Sequence, residues 1–218
     1  MEISTSILSV KKENAIRTFY DLEVAKTDYF HIDVMDGKFV EQNTMLHMLE
    51  YATTIKHISN IPLDVHLMVD KPREQIEDYI DLKPTYITVH YEAFKEEKQL
   101  EDTLLYIKQN ACRAGISIKP DTSVEKIYPY LEKISLVLVM TVEPGYGGQK
   151  LIETTIPKIK KLKTYIEENK LECFIEADGG INLENIEKLN EAGIDIAVVG
   201  SAIINSNNMK ETIQKMKH

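Results

Sequence analysis

The chain alternates short apolar runs with longer charged stretches in which the apolar positions show helical spacing. Runs rich in β-branched or aromatic residues recur roughly every 25 residues and predict strands. These runs are residues 3–8, 29–35, 63–69, 85–91, 114–119, 136–142, 173–178 and 194–199. The charged stretches predict helices at residues 13–25, 45–55, 71–80, 96–109, 124–132, 155–169, 183–191 and 209–216. Strands that alternate with helices are typical of a parallel sheet with right-handed crossovers.

Eight strand–helix units fill the 218 residues and leave no segment for a second domain. This count favours an α/β fold in which the sheet closes into a (β/α)8 barrel, the TIM barrel, over an open doubly wound sheet. No Gly-x-Gly-x-x-Gly follows the first predicted strand, so the usual mark of a dinucleotide-binding sheet is missing. We therefore expect a single barrel domain over residues 1–218.

Polar side chains occupy the inward face of several predicted strands. In the second strand the apolar Ile32 and Val34 must meet the helices, so His31, Asp33 and Met35 point to the barrel axis. The same parity places further polar residues and one methionine inside: Ser4, Ser6, Asp64, His66, Met68, Thr88, His90, Ser117, Lys119, Glu176 and Asp178. Barrel interiors are normally filled by Val, Ile and Leu, and burying unpaired charges is costly. This face therefore indicates an active site.

Two imidazoles and two carboxylates form the sharpest group. His31, Asp33, His66 and Asp178 converge from the second, third and seventh strands and predict a site for one divalent metal ion such as Zn, Fe, Mn or Co. Each residue also has a structural explanation, because a strand histidine can be a hydrogen-bonded core residue and an aspartate can brace a nearby turn. The shared inward parity favours the metal site.

Six of the nine glycines lie in three turns that follow the sixth, seventh and eighth strands, namely Gly145, Gly147, Gly148, Gly179, Gly180 and Gly200. Glycine lets the backbone approach a ligand and direct its N–H groups at an anion, and the last loops of this fold often bind phosphate. Ser201 adds a hydroxyl and an amide. Ordinary turn glycines are the alternative, but three such turns at neighbouring strand ends favour a phosphate site.

Met35, Met68 and Met140 fall near the carboxyl ends of their strands. They are either adaptable core residues or a thioether surface that keeps water from a reactive intermediate. The sequence leaves both interpretations open.

Charge and composition restrict the partners. Lys plus Arg is 26 and Asp plus Glu is 35, so the net charge is −9. This balance argues against a nucleic-acid partner and requires an anionic substrate to be held by local donors. Two cysteines cannot build a disulfide framework, we see no signal peptide, and the longest near-continuous apolar stretch, Leu136–Met140, is far shorter than the ~20 residues of a membrane helix. We expect a soluble, cytoplasmic protein with no membrane partner.

A metal ion, two facing carboxylates and a phosphate site suggest proton abstraction next to the carbonyl of a sugar phosphate. Two acids on opposite faces of the planar intermediate would remove a proton from one side and return it on the other. The result is inversion of one carbon without redox chemistry or hydrolysis.

The residues that carry this chemistry lie in motifs that resemble the ribulose-phosphate 3-epimerase family. The matching motifs are SIL (6–8), HIDVMDGKFV (31–40), DVHLMV (64–69), HYEA (90–93), VMTVEPGYGGQ (139–149), DGGI (178–181) and GSAI (200–203). They stand in family order and span nearly the whole chain, so the resemblance is specific. It implies a barrel of the ribulose-phosphate-binding type.

The resemblance implies interconversion of D-ribulose 5-phosphate and D-xylulose 5-phosphate at C3 by an enzyme that is often a homo-oligomer. Asp33 and Asp178 would be the acid–base pair and would bind the metal ion with His31 and His66. The substrate contacts would be Ser6 and His66, with the phosphate held by Gly145, Tyr146, Gly147, Gly148, Gly179, Gly180, Gly200 and Ser201. As a further hypothesis, Glu176 and Glu92 lie close to the metal ligands and support them.

One loop departs from the family pattern. After Phe39 and Val40 the family usually continues Pro-Asn, whereas this chain has Glu41 and Gln42, and residues 43–47 lack the usual Phe-Gly. Related enzymes that act on D-allulose 6-phosphate share the metal and acid–base residues, so this substrate is an alternative, although the pentulose is favoured. A metal-free phosphate-binding barrel of the tryptophan or histidine pathways, or a non-catalytic binding module, are alternatives of other classes.

Overall fold

The computed structural model describes residues 1–217 and contains a closed barrel of eight parallel strands. The strands are β1 (Glu2–Ser6), β2 (Tyr29–Met35), β3 (Leu63–Met68), β4 (Tyr86–His90), β5 (Arg113–Ile118), β6 (Leu136–Met140), β7 (Phe174–Asp178) and β8 (Ile196–Val199). Each strand pairs with its neighbours in sequence, and β1 pairs with β8 to close the barrel. The predicted TIM barrel is confirmed.

Nine α-helical segments lie within residues 1–217. They are α1 (Ala15–Ala25), α2 (Met45–Ile58), α3 (Pro72–Gln75), α4 (Glu77–Ile80), α5 (Glu97–Gln109), α6 (Thr155–Glu168), α7 (Ile186–Ala192), α8 (Ser201–Ile204) and α9 (Met209–Lys217). Three 3₁₀ helices accompany them, at Lys12–Asn14, Tyr91–Ala93 and Val124–Lys133.

Two predicted helices take other forms. The segment predicted at 124–132 is a 3₁₀ helix that contains Pro129, and a proline ring clashes with the carbonyl of residue i−4 in an α-helix. Its buried Val124, Ile127 and Tyr130 are three residues apart, which is the period of a 3₁₀ helix. The segment predicted at 71–80 forms the two short helices α3 and α4, which meet at the fully buried Ile76.

The main core lies between the outer face of the barrel and the helices. Ile32 and Val34 of β2 are fully buried there, as the parity predicts. Inside the barrel, the amino-terminal end is filled by one side chain from each even-numbered strand: Tyr29, Tyr86, Leu136 and Ile196. This apolar layer closes the bottom, so the polar residues that point inward lie between it and the open carboxyl end.

Among the helices of residues 1–217, none combines the length and apolarity needed to cross a bilayer. Cys112 and Cys173 are both buried and unbonded to each other.

Candidate active site

The four predicted metal ligands meet on the barrel axis. Asp33 and His66 are register partners in β2 and β3, and Asp178 ends β7. One ligand atom from each of these residues and from His31 lies within 4.8 Å of the others. The distances from Asp33 Oδ1 are 3.3 Å to His31 Nε2 and 3.4 Å to His66 Nδ1. His66 Nδ1 also lies 3.7 Å from Asp178 Oδ2.

These atoms face one another without being bonded. His31 and His66 are fully buried, yet His31 Nε2 and His66 Nδ1 have no hydrogen-bond partner among residues 1–217. Buried polar atoms in proteins are nearly always paired. Two imidazole nitrogens and two carboxylate oxygens that converge on one point are a donor set that suits a divalent transition metal. The residues therefore fit the cation that the sequence predicts.

Asp64 orients the first of the two imidazoles. Its Oδ2 lies 2.6 Å from His31 Nδ1 and accepts a hydrogen bond from Ser4 Oγ at 2.8 Å. Burial alone would lower the pKa of His31, but the carboxylates of Asp64 and Asp33 outweigh burial and raise it well above the ordinary value. The sequence placed Asp64 inside the barrel without a role, because its contact with His31 depends on the register of β2 and β3, which the structure shows.

The two aspartates of the proposed acid–base pair have different charged neighbours, which shift their pKa values in opposite directions. Burial would raise the pKa of both, but His31 and His66 outweigh it at Asp33 and lower the pKa of that carboxyl. At Asp178, burial and the nearby charge of Asp33 raise the pKa to about 7. Ser6 Oγ donates a hydrogen bond to Asp33 Oδ2 at 2.7 Å. The protein's own charges thus favour an ionised Asp33 beside an Asp178 that can hold a proton near neutral pH.

Glu176 lies deeper in the barrel, beside His31 and Asp64. Ligand atoms of these three residues are also within 4.8 Å of one another. Burial and the charge of Asp64 raise the pKa of Glu176 well above its ordinary value. The sequence hypothesis that Glu176 lies close to the metal ligands agrees with this position.

A second line of polar residues runs outward from His66. His66 Nε2 lies 2.9 Å from His90 Nε2, and His90 Nδ1 lies 3.1 Å from Glu92 Oε2. Burial lowers the pKa of His90 to about 4, although Glu92 acts in the opposite direction. Burial would raise the pKa of Glu92, but hydrogen bonds from His90, Thr122 and the Lys119 backbone lower it to about 2. His90 was predicted to face inward, but its contact with His66 was not.

A cavity of about 520 Å³ opens above the cluster at the carboxyl end of the barrel. Its lining includes the following predicted site residues: Ser6, Asp33, Met35, Met68, Met140, Gly145, Tyr146, Gly147, Gly148, Asp178, Gly179, Gly180, Gly200 and Ser201. His31 and His66 are fully buried next to Asp33. The structure therefore brings all the predicted site residues to one place.

The loop that departs from the family pattern also reaches this cavity. Gln42, Asn43, Thr44 and His47 contribute to its lining. The sequence places this loop at the mouth of the barrel, where it affects substrate fit, but does not give these residues individual roles. The loop after β6 crosses toward them: a Cβ on Gly145 would lie 3.2 Å from Val40 Cβ. The Tyr146 hydroxyl donates a hydrogen bond to the Glu41 carboxylate. The loops after β2 and β6 thus meet across the mouth of the barrel.

The sequence matches a family model over residues 2–204, and that model describes the ribulose-phosphate 3 epimerase family. A Bacillus subtilis (strain 168) protein named ribulose-phosphate 3-epimerase is 35% identical over 218 residues, which are 100% of this chain and 98% of that protein. A Helicobacter pylori (strain J99) protein of the same name is also 35% identical, covering 100% of this chain and 97% of that protein. A chloroplastic ribulose-5-phosphate-3-epimerase from Arabidopsis thaliana is 34% identical over 99% of this chain and 75% of its own length.

Solved structures of lower identity show the fold. KGPDC from Streptococcus mutans superimposes with a TM-score of 0.73 at 10% identity, over 99% of this chain and 95% of that one. A 3-hexulose-6-phosphate synthase gives a TM-score of 0.70 at 13% identity, over 100% and 98% of the two chains. The fold alone is shared at this distance, whereas the family model and the full-length relatives establish descent: the chain belongs to the ribulose-phosphate 3-epimerase family.

Proposed function

We propose that the protein interconverts D-ribulose 5-phosphate and D-xylulose 5-phosphate by removing and returning the proton at C3 through an enediolate. The observation that carries this proposal is the pairing of Asp33 and Asp178. Their carboxylates face one point at the floor of the cavity, and the surrounding charges shift their pKa values in opposite directions. The names of the full-length relatives supply the identity of the sugar.

The phosphate of the substrate would bind among the glycine turns. Gly179, Gly180, Gly200 and Ser201 line the cavity at the ends of β7 and β8, and residues 145–148 approach from the loop after β6. Backbone N–H groups and the Ser201 hydroxyl are uncharged donors that suit a dianion in a protein of net charge −9.

His31, Asp33, His66 and Asp178 would hold one divalent ion of Zn, Fe, Mn or Co. Such an ion, when bound, attracts electron density from the substrate oxygens and so stabilises the enediolate. Ser6 would orient the Asp33 carboxylate through the hydrogen bond that it donates. Met35, Met68 and Met140 would cover the planar intermediate with apolar surface and keep water away from it.

The two aspartates would divide the proton transfers. Ionised Asp33 would accept the C3 proton from one face of the sugar, and protonated Asp178 would donate a proton to the opposite face. The reverse reaction would exchange these roles. Inversion at C3 follows because the two carboxyl groups act on opposite faces.

Deuterium exchange tests the proposal directly. The Zn²⁺-loaded protein is incubated with D-ribulose 5-phosphate in deuterium oxide, and NMR measures both the appearance of D-xylulose 5-phosphate and deuterium at C3. D-allulose 6-phosphate is run in parallel, because residues of the departing loop line the cavity. No C3 exchange in the pentulose would contradict the proposal, and faster turnover of the hexulose would reassign the substrate. A protein that neither binds divalent ions nor is activated by them would favour a metal-free phosphate-binding barrel.

The expected homo-oligomer and the cytoplasmic location stay predictions. Sedimentation velocity of the purified protein tests the first, and imaging of a tagged chain in its cell of origin tests the second.

A further inference from the structure

We propose that Glu92 and His90 are positioning residues that fix the tautomer of His66, so that His66 Nδ1 offers a lone pair to the divalent ion. The inference rests on the proposed function only in that His66 is taken as a metal ligand. The sequence suggested only that Glu92 lies close to the metal ligands and supports them; the structure adds which ligand Glu92 acts on, through which residue, and what it fixes.

The relay, which is the chain of hydrogen bonds from Glu92 through His90 to His66, begins at a carboxylate with a fixed orientation. Glu92 Oε1 accepts hydrogen bonds from the backbone N–H of Lys119 at 2.8 Å and from the Thr122 hydroxyl. Its other oxygen, Oε2, faces His90 Nδ1 at 3.1 Å. An ionised carboxylate only accepts hydrogen bonds, so His90 Nδ1 must carry a proton to bond with it.

This proton decides the direction of the next bond. A neutral imidazole has one donor and one acceptor nitrogen, so His90 with a proton on Nδ1 has a lone pair on Nε2. That lone pair lies 2.9 Å from His66 Nε2, which must then donate. Neutral His66 with its proton on Nε2 has a free lone pair on Nδ1.

The surroundings of His66 Nδ1 agree with this assignment. It lies 3.4 Å from Asp33 Oδ1 and 3.7 Å from Asp178 Oδ2, and it forms no hydrogen bond with either. A proton on Nδ1 would be expected to bond to one of these two carboxylates. His66 and His90 are fully buried, so bulk water does not compete for their ring nitrogens.

Both predicted histidine ligands are thus oriented by a carboxylate, which leaves one ring nitrogen of each with a lone pair for the ion. Asp64 bonds directly to His31 Nδ1 and leaves Nε2 for the ion. Glu92 has the same effect on His66 across one intervening imidazole. Carboxylates that orient metal-bound histidines are frequent in metalloproteins, and their loss typically lowers metal affinity by about 10–100-fold.

Replacing Glu92 by glutamine reverses the relay while preserving its shape. The oxygen of the substituted amide would face the Lys119 N–H and the Thr122 hydroxyl, which leaves the amide nitrogen as a donor toward His90 Nδ1. His90 would then carry its proton on Nε2 and donate to His66, and the His66 proton would move to Nδ1. The lone pair for the ion would be lost.

Zn²⁺ affinity, measured by chelator competition in the absence of substrate, is the first test. We expect Glu92→Gln to weaken Zn²⁺ binding by about 10–100-fold. His90→Gln, which offers an amide oxygen opposite His66, should retain affinity within a few-fold of wild type. Glu132→Gln, at an exposed carboxylate, is the matched control and should bind as wild type does. Circular dichroism and thermal unfolding of each variant show that it is folded.

Histidine ¹⁵N NMR of the Zn²⁺-loaded wild-type protein is a second readout, which a merely structural role would not affect. We expect a proton on His66 Nε2 and a scalar coupling to His90 Nε2 across the hydrogen bond. Wild-type Zn²⁺ affinity in Glu92→Gln, a His66 proton on Nδ1, or a wild-type protein that binds no Zn²⁺ would each overturn the inference. If the wild type shows the NMR signature but does not exchange the C3 proton, the proposed function fails and the positioning role stands.

Discussion

At the scale of single residues, the site consists of chemically similar groups with different roles. Asp33, Asp64 and Asp178 are all inward-facing aspartates, but the first is surrounded by imidazoles, the second bonds to one, and the third lies near the charge of the first. Environment, not residue type, assigns each carboxyl its protonation state.

Substituting either member of the acid–base pair should remove turnover. Asn in place of Asp33 or Asp178 keeps the shape but cannot carry the proton, so kcat should fall by at least about 10²–10⁴-fold. Initial rates with D-ribulose 5-phosphate at saturating Zn²⁺ measure the effect. Asp121→Asn, at an exposed carboxylate, is the control and should keep wild-type rates. Turnover close to wild type in Asp33→Asn or Asp178→Asn would refute the two-acid scheme.

Replacement by alanine should cost different amounts of stability at two glycines of the cavity turns, Gly179 and Gly148. Both have positive φ, but a Cβ on Gly179 would lie 2.3 Å from Val142 Cγ2, whereas a Cβ on Gly148 meets no atom within 4 Å. Gly179→Ala should lower the free energy of unfolding by about 2–5 kcal/mol, because it adds a clash to the backbone strain. Gly148→Ala should cost about 1–2 kcal/mol from strain alone. Urea unfolding measures both, and equal costs would contradict the packing at Gly179.

Sequence parity located the inward residues because strand alternation is a local property. His31, Asp33, His66 and Asp178 could be identified from their apolar neighbours alone. The contact between His66 and His90 could not, because it joins two strands and depends on side-chain rotamers. The cavity lining by Gln42 and His47 depends on the path of a loop, which no periodicity describes.

At the scale of elements, helix α6 shows how the barrel is covered. Within residues 155–169, the helical spacing predicts one apolar stripe formed by Ile156, Ile159, Leu162 and Ile166. In the structure the last three are buried, while Ile156 is only partly buried and Thr155 takes a place on the buried face. The pattern predicted the helix correctly, and helix geometry explains the difference at its start. At 3.6 residues per turn, Thr155 lies close to the line of Ile159, Leu162 and Ile166, whereas Ile156 lies about a quarter of a turn away from it.

Shortening side chains to alanine along α6 should cost more stability on its buried face than at the edge of that face. Ile159→Ala removes a fully buried side chain and should lower the free energy of unfolding by about 2–5 kcal/mol. Ile156→Ala, at a partly buried position, should cost clearly less. Denaturant unfolding at one pH measures the two variants side by side. Equal losses would mean that the first turn of α6 packs more deeply than the structure shows.

The two helices that differ from prediction show that apolar spacing locates a segment without fixing its type of helix. Apolar spacing located residues 124–132 and 71–80 as segments that cover the barrel, and both do so. Spacing does not reveal the hydrogen-bond pattern within a segment. Pro129 was the visible signal for the first, since it cannot donate to the i−4 carbonyl.

At the scale of the whole molecule, the site joins parts of the chain that are distant in sequence. Its proposed ligands come from β2, β3 and β7, which span most of the barrel. The number of strand–helix units predicted closure of the sheet, and closure is what places Asp178 beside Asp33 and His66. In an open sheet with the same strand order, β7 would lie several strands away from β2 and β3, and Asp178 would not meet Asp33 and His66.

Metal binding should therefore stabilise the entire fold. The unfolded chain does not assemble these four ligands, so the free energy of binding adds to that of folding. Zn²⁺ at 100 times its dissociation constant should add about 2.7 kcal/mol, which raises Tm by roughly 5–10 °C for a chain of this length. Scanning calorimetry after chelation, followed by stepwise addition of Zn²⁺, measures the increase. Asp33→Asn should remove most of it, because Asp33 Oδ1 lies nearest to both imidazole nitrogens. An equal increase in that variant would place the ion elsewhere in the molecule.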